Sequence, residues 1–159
     1  MLFKVELISY ARRCVVKPML NEKSCGAVVY IRTPNVKYLL LQYEAGHWDF
    51  VKGNVEKGET EQQTAVRELG EETGITDAQF INGFKEIISY FYKRQGAVVL
   101  KEVVFFLMET KTSEIKLSFE HVGFTWLSYE EAMKKLTFKN ARDVLQKAQD
   151  FLMRQGTKE

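Results

Sequence analysis

The chain has 159 residues and a net charge of +2, with 45% hydrophobic and 28% charged residues. These values are typical of one globular domain with a hydrophobic core, and they give no electrostatic reason to expect nucleic-acid binding. No apolar run approaches the roughly 20 residues of a membrane span, and Cys14 and Cys25 form neither a metal-binding spacing nor a disulfide framework. We therefore expect a cytoplasmic protein without a membrane partner, as a monomer or a weak homo-oligomer.

The domain is expected to occupy residues 23–155, between an N-terminal extension over residues 1–22 and a frayed tail over residues 156–159. Within the extension, residues 2–7 alternate in polarity like a short strand. We hypothesise that the first 18 residues are dispensable for folding.

A β-hairpin is predicted at the start of the domain. Residues 24–31 and residues 37–43 both have the composition of strands, and the turn-forming residues Thr33, Pro34 and Asn35 lie between them. Further strands are predicted near residues 48–53 and over residues 84–92, 98–108 and 123–127, with Trp126 in the core. Helices are predicted over residues 61–73, 129–136 and 139–154, the last capped by Thr137 and buried along Val144, Leu145, Ala148, Phe151 and Leu152.

The helix predicted over residues 61–73 is strongly acidic on one side. Thr60 can cap its start, and Gly74 suits a left-handed stop at its end. A repeat of 3.6 residues places Ala65, Val66, Leu69 and Thr73 on one side and Glu68, Glu71 and Glu72 on another. Like charges at this spacing oppose helix formation, so a divalent cation such as Mg²⁺ or Mn²⁺ is the natural partner. The alternative is a solvated acidic face on which Arg67 pairs with Glu71.

The surrounding spacing matches a known signature. Gly53, Glu59 and the run Arg67-Glu68-Leu69-x-Glu71-Glu72-x-Gly74-Ile75 agree with the Nudix box at every defined position, so the chain resembles the Nudix hydrolases. The resemblance implies an α/β (α+β) fold, in which an α/β/α sandwich has a mixed β-sheet and the box forms a loop–helix–loop. It also implies an enzyme that hydrolyses a nucleoside diphosphate linked to another moiety.

From about residue 22 to residue 152 the chain resembles the animal and archaeal type of diadenosine tetraphosphate hydrolase. The resembling segments are residues 38–42, 47–48, 52–56, 83–85 with Tyr90, 117–121, 126–127 and 138–139. One departure is Val51, where that family often has proline before the lysine-glycine pair. The resemblance implies an asymmetric cut of the tetraphosphate bridge that releases ATP and AMP.

Catalytic roles follow from the matching positions. The metal ligands that the resemblance implies are Glu68, Glu72, Glu71 and Glu120. Glu71 would share in ligation or act on the attacking water, and Glu120 would reach the metal cluster or serve as base. Arg67 would orient the glutamates through Glu59. The sequence leaves the identity of the general base open.

Six residues are expected to bind the substrate, namely Lys52, Gly53, Tyr90, Lys101, Phe138 and His47. The resemblance points to Tyr90 and Phe138 as the rings that would stack on adenine, and the two lysines would neutralise the polyphosphate. Each assignment has an alternative: core packing for the two rings, an ion pair with neighbouring Glu102 for Lys101, and plain surface positions for Lys52 and His47.

Two other functions remain open. One is a different Nudix activity on a nucleoside triphosphate, an ADP-sugar or the 5′ end of RNA, although the near-neutral charge argues against RNA. The other is a non-catalytic sensor that binds a nucleotide. Such a sensor would be expected to lose glutamates from the box, and this chain keeps Glu59, Glu68, Glu71 and Glu72.

Overall fold

The computed structural model describes residues 19–156, which contain seven strands and three helices. In chain order these are β1 (Leu20–Arg32), β2 (Val36–Tyr43), β3 (Trp48–Asp49), β4 (Val51–Asn54), α1 (Glu61–Thr73), β5 (Gln79–Arg94), β6 (Ala97–Glu109), β7 (His121–Leu127), α2 (Tyr129–Lys135) and α3 (Lys139–Gly156). None of the helices within this range is both long enough and apolar enough to span a bilayer.

All seven strands belong to one mixed sheet. Five of them lie in the order β3-β2-β1-β6-β5, while β4 pairs with β1 and β7 pairs with β2. The two central strands are parallel, in a register that runs from Leu20 beside Val99 to Tyr30 beside Glu109. Both carry long apolar runs because each of their faces is covered. The predicted hairpin is confirmed by the antiparallel pairing of β1 with β2.

Helices cover both faces of the sheet, so the predicted sandwich is confirmed. Successive side chains of a strand point to opposite faces, and on β1 this sends Val28 to one core and Val29 to the other. The first core includes residues of α2 and α3, such as Ala132 and Leu145. The second core includes Leu69 from α1. Of the helices within residues 19–156, α1 is therefore the one on this face, where it lies beside β1 and β4.

Helix α1 has the predicted bounds, Glu61–Thr73, and the predicted caps. Thr60 accepts a hydrogen bond from the Gln63 N–H in a capping box, and Gly74 has a left-handed φ of 75°. The predicted apolar side is wrong at Val66, whose side chain is 49% exposed. Compared with the prediction, the buried side of the helix is shifted around its axis. It includes Glu68 and Glu72, and Val66 lies just outside it.

Three further predictions need correction. Thr137 does not cap α3, because its hydroxyl accepts a hydrogen bond from the Trp48 N–H at 2.9 Å. Trp126 is half-buried at the margin of the second core, where its indole N–H donates to the Ser113 carbonyl oxygen at 2.9 Å. Strand β5 begins five residues earlier than expected, because a register shift between Phe80 and Lys85 interrupts the alternating pattern.

The N-terminal boundary differs from the sequence-based one. Strand β1 begins at Leu20, three residues before the domain start expected at residue 23. The strand hypothesised over residues 2–7 lies outside the described residues, as do residues 157–159 of the expected tail. The division into extension, domain and tail remains a prediction.

Candidate active site

Strand β4 places Gly53, the first defined residue of the Nudix box, beside α1. It pairs with β1 from Ser24 beside Asn54 to Ala27 beside Val51. Gly53 lies so close to the helix that an added Cβ would stand 2.0 Å from the carboxyl carbon of Glu68. A glycine is required here because the Glu68 carboxyl group occupies the space of any larger residue.

Arg67 joins the acidic groups of the loop and the helix. Its Nε donates to Glu59 at 2.6 Å, and its Nη1 donates to Glu68 at 2.8 Å and to Glu71 at 3.1 Å. Nη2 donates to the backbone carbonyl of Asn54 at 2.9 Å. The hydrogen bond from Arg67 lowers the pKa of Glu59 to about 2. The Arg67–Glu71 pair of the surface alternative therefore exists, but as one contact in a larger network.

Glu68 and Glu72 turn inward, whereas Glu71 is exposed. Burial raises the pKa of Glu72 to about 8, and the charge of Glu68 adds to this rise. Burial also raises the pKa of Glu68, although the hydrogen bond from Arg67 opposes the shift. One carboxyl oxygen of Glu72, Oε2, has no hydrogen-bond partner among the described residues. A buried carboxyl oxygen without a partner, such as Glu72 Oε2, fits a hard divalent cation.

The loop before β7 brings Glu120 to this site. Its backbone is tied to the end of α1, since Lys116 N–H donates to the Thr73 carbonyl at 2.9 Å and Ser118 N–H donates to the Glu72 carbonyl at 3.2 Å. Glu120 lies with Glu71, Glu72, Arg67 and other residues around an acidic cleft of about 570 Å³. The structure thus brings all four expected metal ligands to one cleft.

His121 also belongs to this cluster, although the sequence did not predict it as a site residue. Ligand atoms of Glu72, Glu120 and His121 all lie within 4.8 Å of one another. Burial lowers the pKa of the His121 imidazole, which favours the neutral ring. Its position directly after Glu120 was the available signal, but its burial against Glu72 depends on the fold.

A second cleft, of about 430 Å³, lies beside the acidic one. Its lining residues are His47, Asp49, Lys52, Ile88, Tyr90, Val103, Phe138, Lys139, Asn140 and Ala141. Tyr90 is 38% exposed and Phe138 is 48% exposed, so neither ring packs within the core. The His47 ring stacks on Tyr43 at 4.5 Å between centroids and lies 5.3 Å from the Phe138 ring. Four of the expected substrate-binding residues therefore line this cleft, which we call the aromatic cleft: His47, Lys52, Tyr90 and Phe138.

Lys52 stands between the two clefts and lines both. Its Nζ lies 2.7 Å from Asp49 Oδ2 and donates to the Tyr43 hydroxyl at 3.3 Å. Lys52 is thus a largely buried, paired cation rather than a plain surface lysine. Asp49, the buried partner, was not predicted, because an acidic residue in a short strand gives no signal without its neighbours.

Lys101 reaches the same region from the central strand β6. Its Nζ donates to Asn54 Oδ1 at 2.6 Å and lies 3.4 Å from Glu22 Oε2. The alternative pairing with Glu102 is wrong, because neighbouring residues of a strand point to opposite faces and Glu102 contacts Lys23 instead. Lys101, Lys52 and Gly53 line a third, more open cleft that also contains Tyr90.

The fold and the site together define a hydrolase built around an acidic loop–helix–loop with an aromatic cleft at its side. The chain belongs to the NUDIX domain family, whose model matches residues 22–148. It is a Nudix hydrolase, and enzymes of this family use divalent metal ions.

Several similar proteins are named for the same activity. The mouse protein named bis(5′-nucleosyl)-tetraphosphatase (asymmetrical) is 36% identical over 143 residues, which cover 82% of this chain and 95% of the mouse protein. The pig protein of the same name is also 36% identical, with the same shares covered. Among solved structures, a binary complex of the C. elegans Ap4A hydrolase aligns with a TM-score of 0.71 at 29% identity, covering 83% of this chain and 98% of that one.

Proposed function

We propose that this enzyme hydrolyses diadenosine tetraphosphate asymmetrically, releasing ATP and AMP. The observation that carries the proposal is the aromatic cleft with Tyr90 and Phe138, which adjoins the glutamate cleft and shares Lys52 with it. One nucleoside in the aromatic cleft would place its polyphosphate at the acidic cleft. The names of the mouse and pig relatives support the same substrate.

The carboxylates would hold the metal. Glu68 and Glu72 are the proposed main ligands, with Glu71 and Glu120 at the exposed side of the same cleft. Mg²⁺ is the proposed ion, with Mn²⁺ as the alternative, and when bound it would activate water and neutralise phosphate charge. Arg67 has the role of holding Glu59, Glu68 and Glu71 in fixed positions.

Two side chains are candidates for the general base. Glu71 and Glu120 are both exposed to the cleft, whereas Glu72 is only 2% exposed and lies deeper. An exposed carboxylate can receive a proton from the attacking water and pass it to solvent. The base is therefore proposed to be one of these two residues.

The substrate contacts divide into stacking and charge neutralisation. Tyr90 and Phe138 would stack on adenine, and each stack contributes about 1–3 kcal/mol. Lys52 and Lys101 would face the polyphosphate, and His47 would border the base from its place between Tyr43 and Phe138. Lys52 is held by Asp49, so its ammonium group is already oriented before substrate binds. We place the reaction in the cytoplasm, in keeping with the free thiol of Cys25.

The proposal is tested by a substrate panel. The purified protein with Mg²⁺ is given diadenosine tetraphosphate, ADP-ribose, nucleoside triphosphates and 5′-triphosphate RNA, and products are separated by anion-exchange chromatography. We expect diadenosine tetraphosphate to have the highest kcat/KM. A higher value for another compound would indicate a different Nudix activity, and turnover of none would indicate a nucleotide sensor.

A further inference from the structure

Behind the glutamates lies a group of buried polar atoms without hydrogen-bond partners. Within residues 19–156 these atoms are Glu72 Oε2, Ser118 Oγ and both ring nitrogens of His121. The His121 side chain is 0% exposed, so water does not satisfy it from the surface. Burying unsatisfied polar groups costs about 1–3 kcal/mol each, so this arrangement calls for a ligand.

The separation of two of these atoms has the dimension of a metal site. His121 Nε2 lies 3.2 Å from Glu72 Oε2, yet the pair does not meet the angular requirements of a hydrogen bond. Two ligands that each bind one ion at about 2.1 Å, at right angles, stand about 3 Å apart. Their lone pairs then converge on the ion instead of on each other. The observed distance and the missing hydrogen bond both agree with that arrangement.

The imidazole is held in place from behind. The register of β2 and β7 places His121 beside Tyr43, whose ring meets the imidazole edge-on at 4.4 Å between centroids. Tyr43 is itself fixed, because its hydroxyl donates to the Phe50 carbonyl oxygen at 2.8 Å. The polar backbone of Gln42 also lies next to the imidazole ring, although the contact does not have the geometry of a hydrogen bond. The packing against Tyr43 restricts the orientation of the imidazole ring.

We propose that His121 is a nitrogen ligand of the metal centre, together with Glu72 and Glu120, and that it biases the centre toward Mn²⁺ over Mg²⁺. The inference rests on the glutamate site of the proposed function but not on its substrate. Oxygen ligands alone suit Mg²⁺, whereas an imidazole nitrogen favours first-row transition ions. The rival explanation is that His121 only packs between Tyr43 and Glu72, without contact to an ion.

Pulsed electron paramagnetic resonance of the Mn²⁺-loaded full chain distinguishes these two explanations. The chain has two histidines, His47 and His121. Selective ¹⁵N labelling of histidine therefore detects nitrogen coupling from these two rings. We expect an imidazole nitrogen coupling in the wild-type protein and in His47→Gln, and its loss in His121→Gln. A wild-type spectrum without histidine nitrogen coupling overturns the proposal, even if the variant fails to fold.

Calorimetric titrations provide a second readout that needs no substrate. For wild-type protein and for His121→Gln, the dissociation constants of Mn²⁺ and Mg²⁺ are measured separately. We expect the substitution to weaken Mn²⁺ binding about tenfold while Mg²⁺ binding changes less. An equal change in the dissociation constants of the two ions would contradict the proposed preference for Mn²⁺ over Mg²⁺. Because only metal is titrated, a wrong substrate assignment would leave these results untouched.

Discussion

The carboxyl group of Glu68 fills the space where a side chain at position 53 would stand. A Cβ on Gly53 would lie 2.0 Å from Glu68 Oε1 and 2.3 Å from Oε2. The close packing of the Glu68 carboxyl group against the backbone therefore depends on the glycine at position 53. Any side chain at position 53 would therefore have to displace the Glu68 carboxyl group.

Replacing Gly53 with alanine should displace the Glu68 carboxyl group and weaken metal binding. We expect the Mg²⁺ dissociation constant to rise about tenfold or more, with the fold retained because the obstructing atoms end a side chain. Isothermal titration with Mg²⁺ measures the change. Gly70→Ala is the matched control, since its Cβ would meet nothing nearer than 3.9 Å, and it should stabilise α1 by up to about 1 kcal/mol. Unchanged affinity in Gly53→Ala would contradict this geometry.

Without metal, stability should fall as pH rises through the range in which Glu72 titrates. The pKa of Glu72 is raised from 4.5 to about 8 in the folded protein. The folded state therefore keeps a proton that the unfolded state loses, and this contribution is present below pH 4.5 and lost by about pH 8. The loss should be on the order of a few kcal/mol.

Urea unfolding in a chelator at several pH values between 5 and 8.5 would measure this slope. Glu72→Gln should flatten it, because glutamine carries no proton to lose. Saturating Mg²⁺ should restore stability at high pH by binding only the folded state. A slope that persists in Glu72→Gln would assign the effect to another group.

Replacing Phe138 with alanine should raise KM more than it lowers kcat. Phe138 is half-exposed in the aromatic cleft and removed from the carboxylates, so its loss should cost one base stack, about 5- to 100-fold in KM. Steady-state kinetics with diadenosine tetraphosphate provides the measurement. Phe91→Ala is the control, since Phe91 is exposed on β5 outside both clefts. An unchanged KM would remove Phe138 from the substrate site.

A chain that starts at Met19 should fold with a free energy of unfolding within about 0.5 kcal/mol of the full chain. The first backbone pairing in the described region joins Leu20 to Val99, so the truncation keeps every described strand contact. Urea denaturation of both proteins would compare them. Failure of the shorter chain to fold would show that the first 18 residues contribute contacts of their own.

Local signals gave the most reliable predictions. Helix α1 was predicted with its bounds and caps, because Thr60 and Gly74 act on their immediate neighbours. Glu68, Glu71 and Glu72 were predicted to share one face because they lie within one helix, whereas Glu120 was expected near them only from the family resemblance. Alternation failed at β5, where a register shift interrupts the pattern.

Several long-range partners were not predicted. Asp49 binds Lys52, and His121 lies against Glu72, only because the fold brings separate segments together. The rotation of α1, which exposes Val66, depends on how the helix sits against β1 and β4. Thr137 was expected to cap a helix but binds Trp48 of a distant strand. Each of these depends on tertiary contacts that no local pattern encodes.

The most direct test compares the products that wild-type protein and Glu72→Gln form from diadenosine tetraphosphate and Mg²⁺, with circular dichroism to confirm that both are folded. We predict equal amounts of ATP and AMP from the wild type. We predict no turnover by the variant, whose fold should persist because a neutral side chain suits the buried position of Glu72. Two molecules of ADP per substrate, or near wild-type turnover by Glu72→Gln, would contradict it.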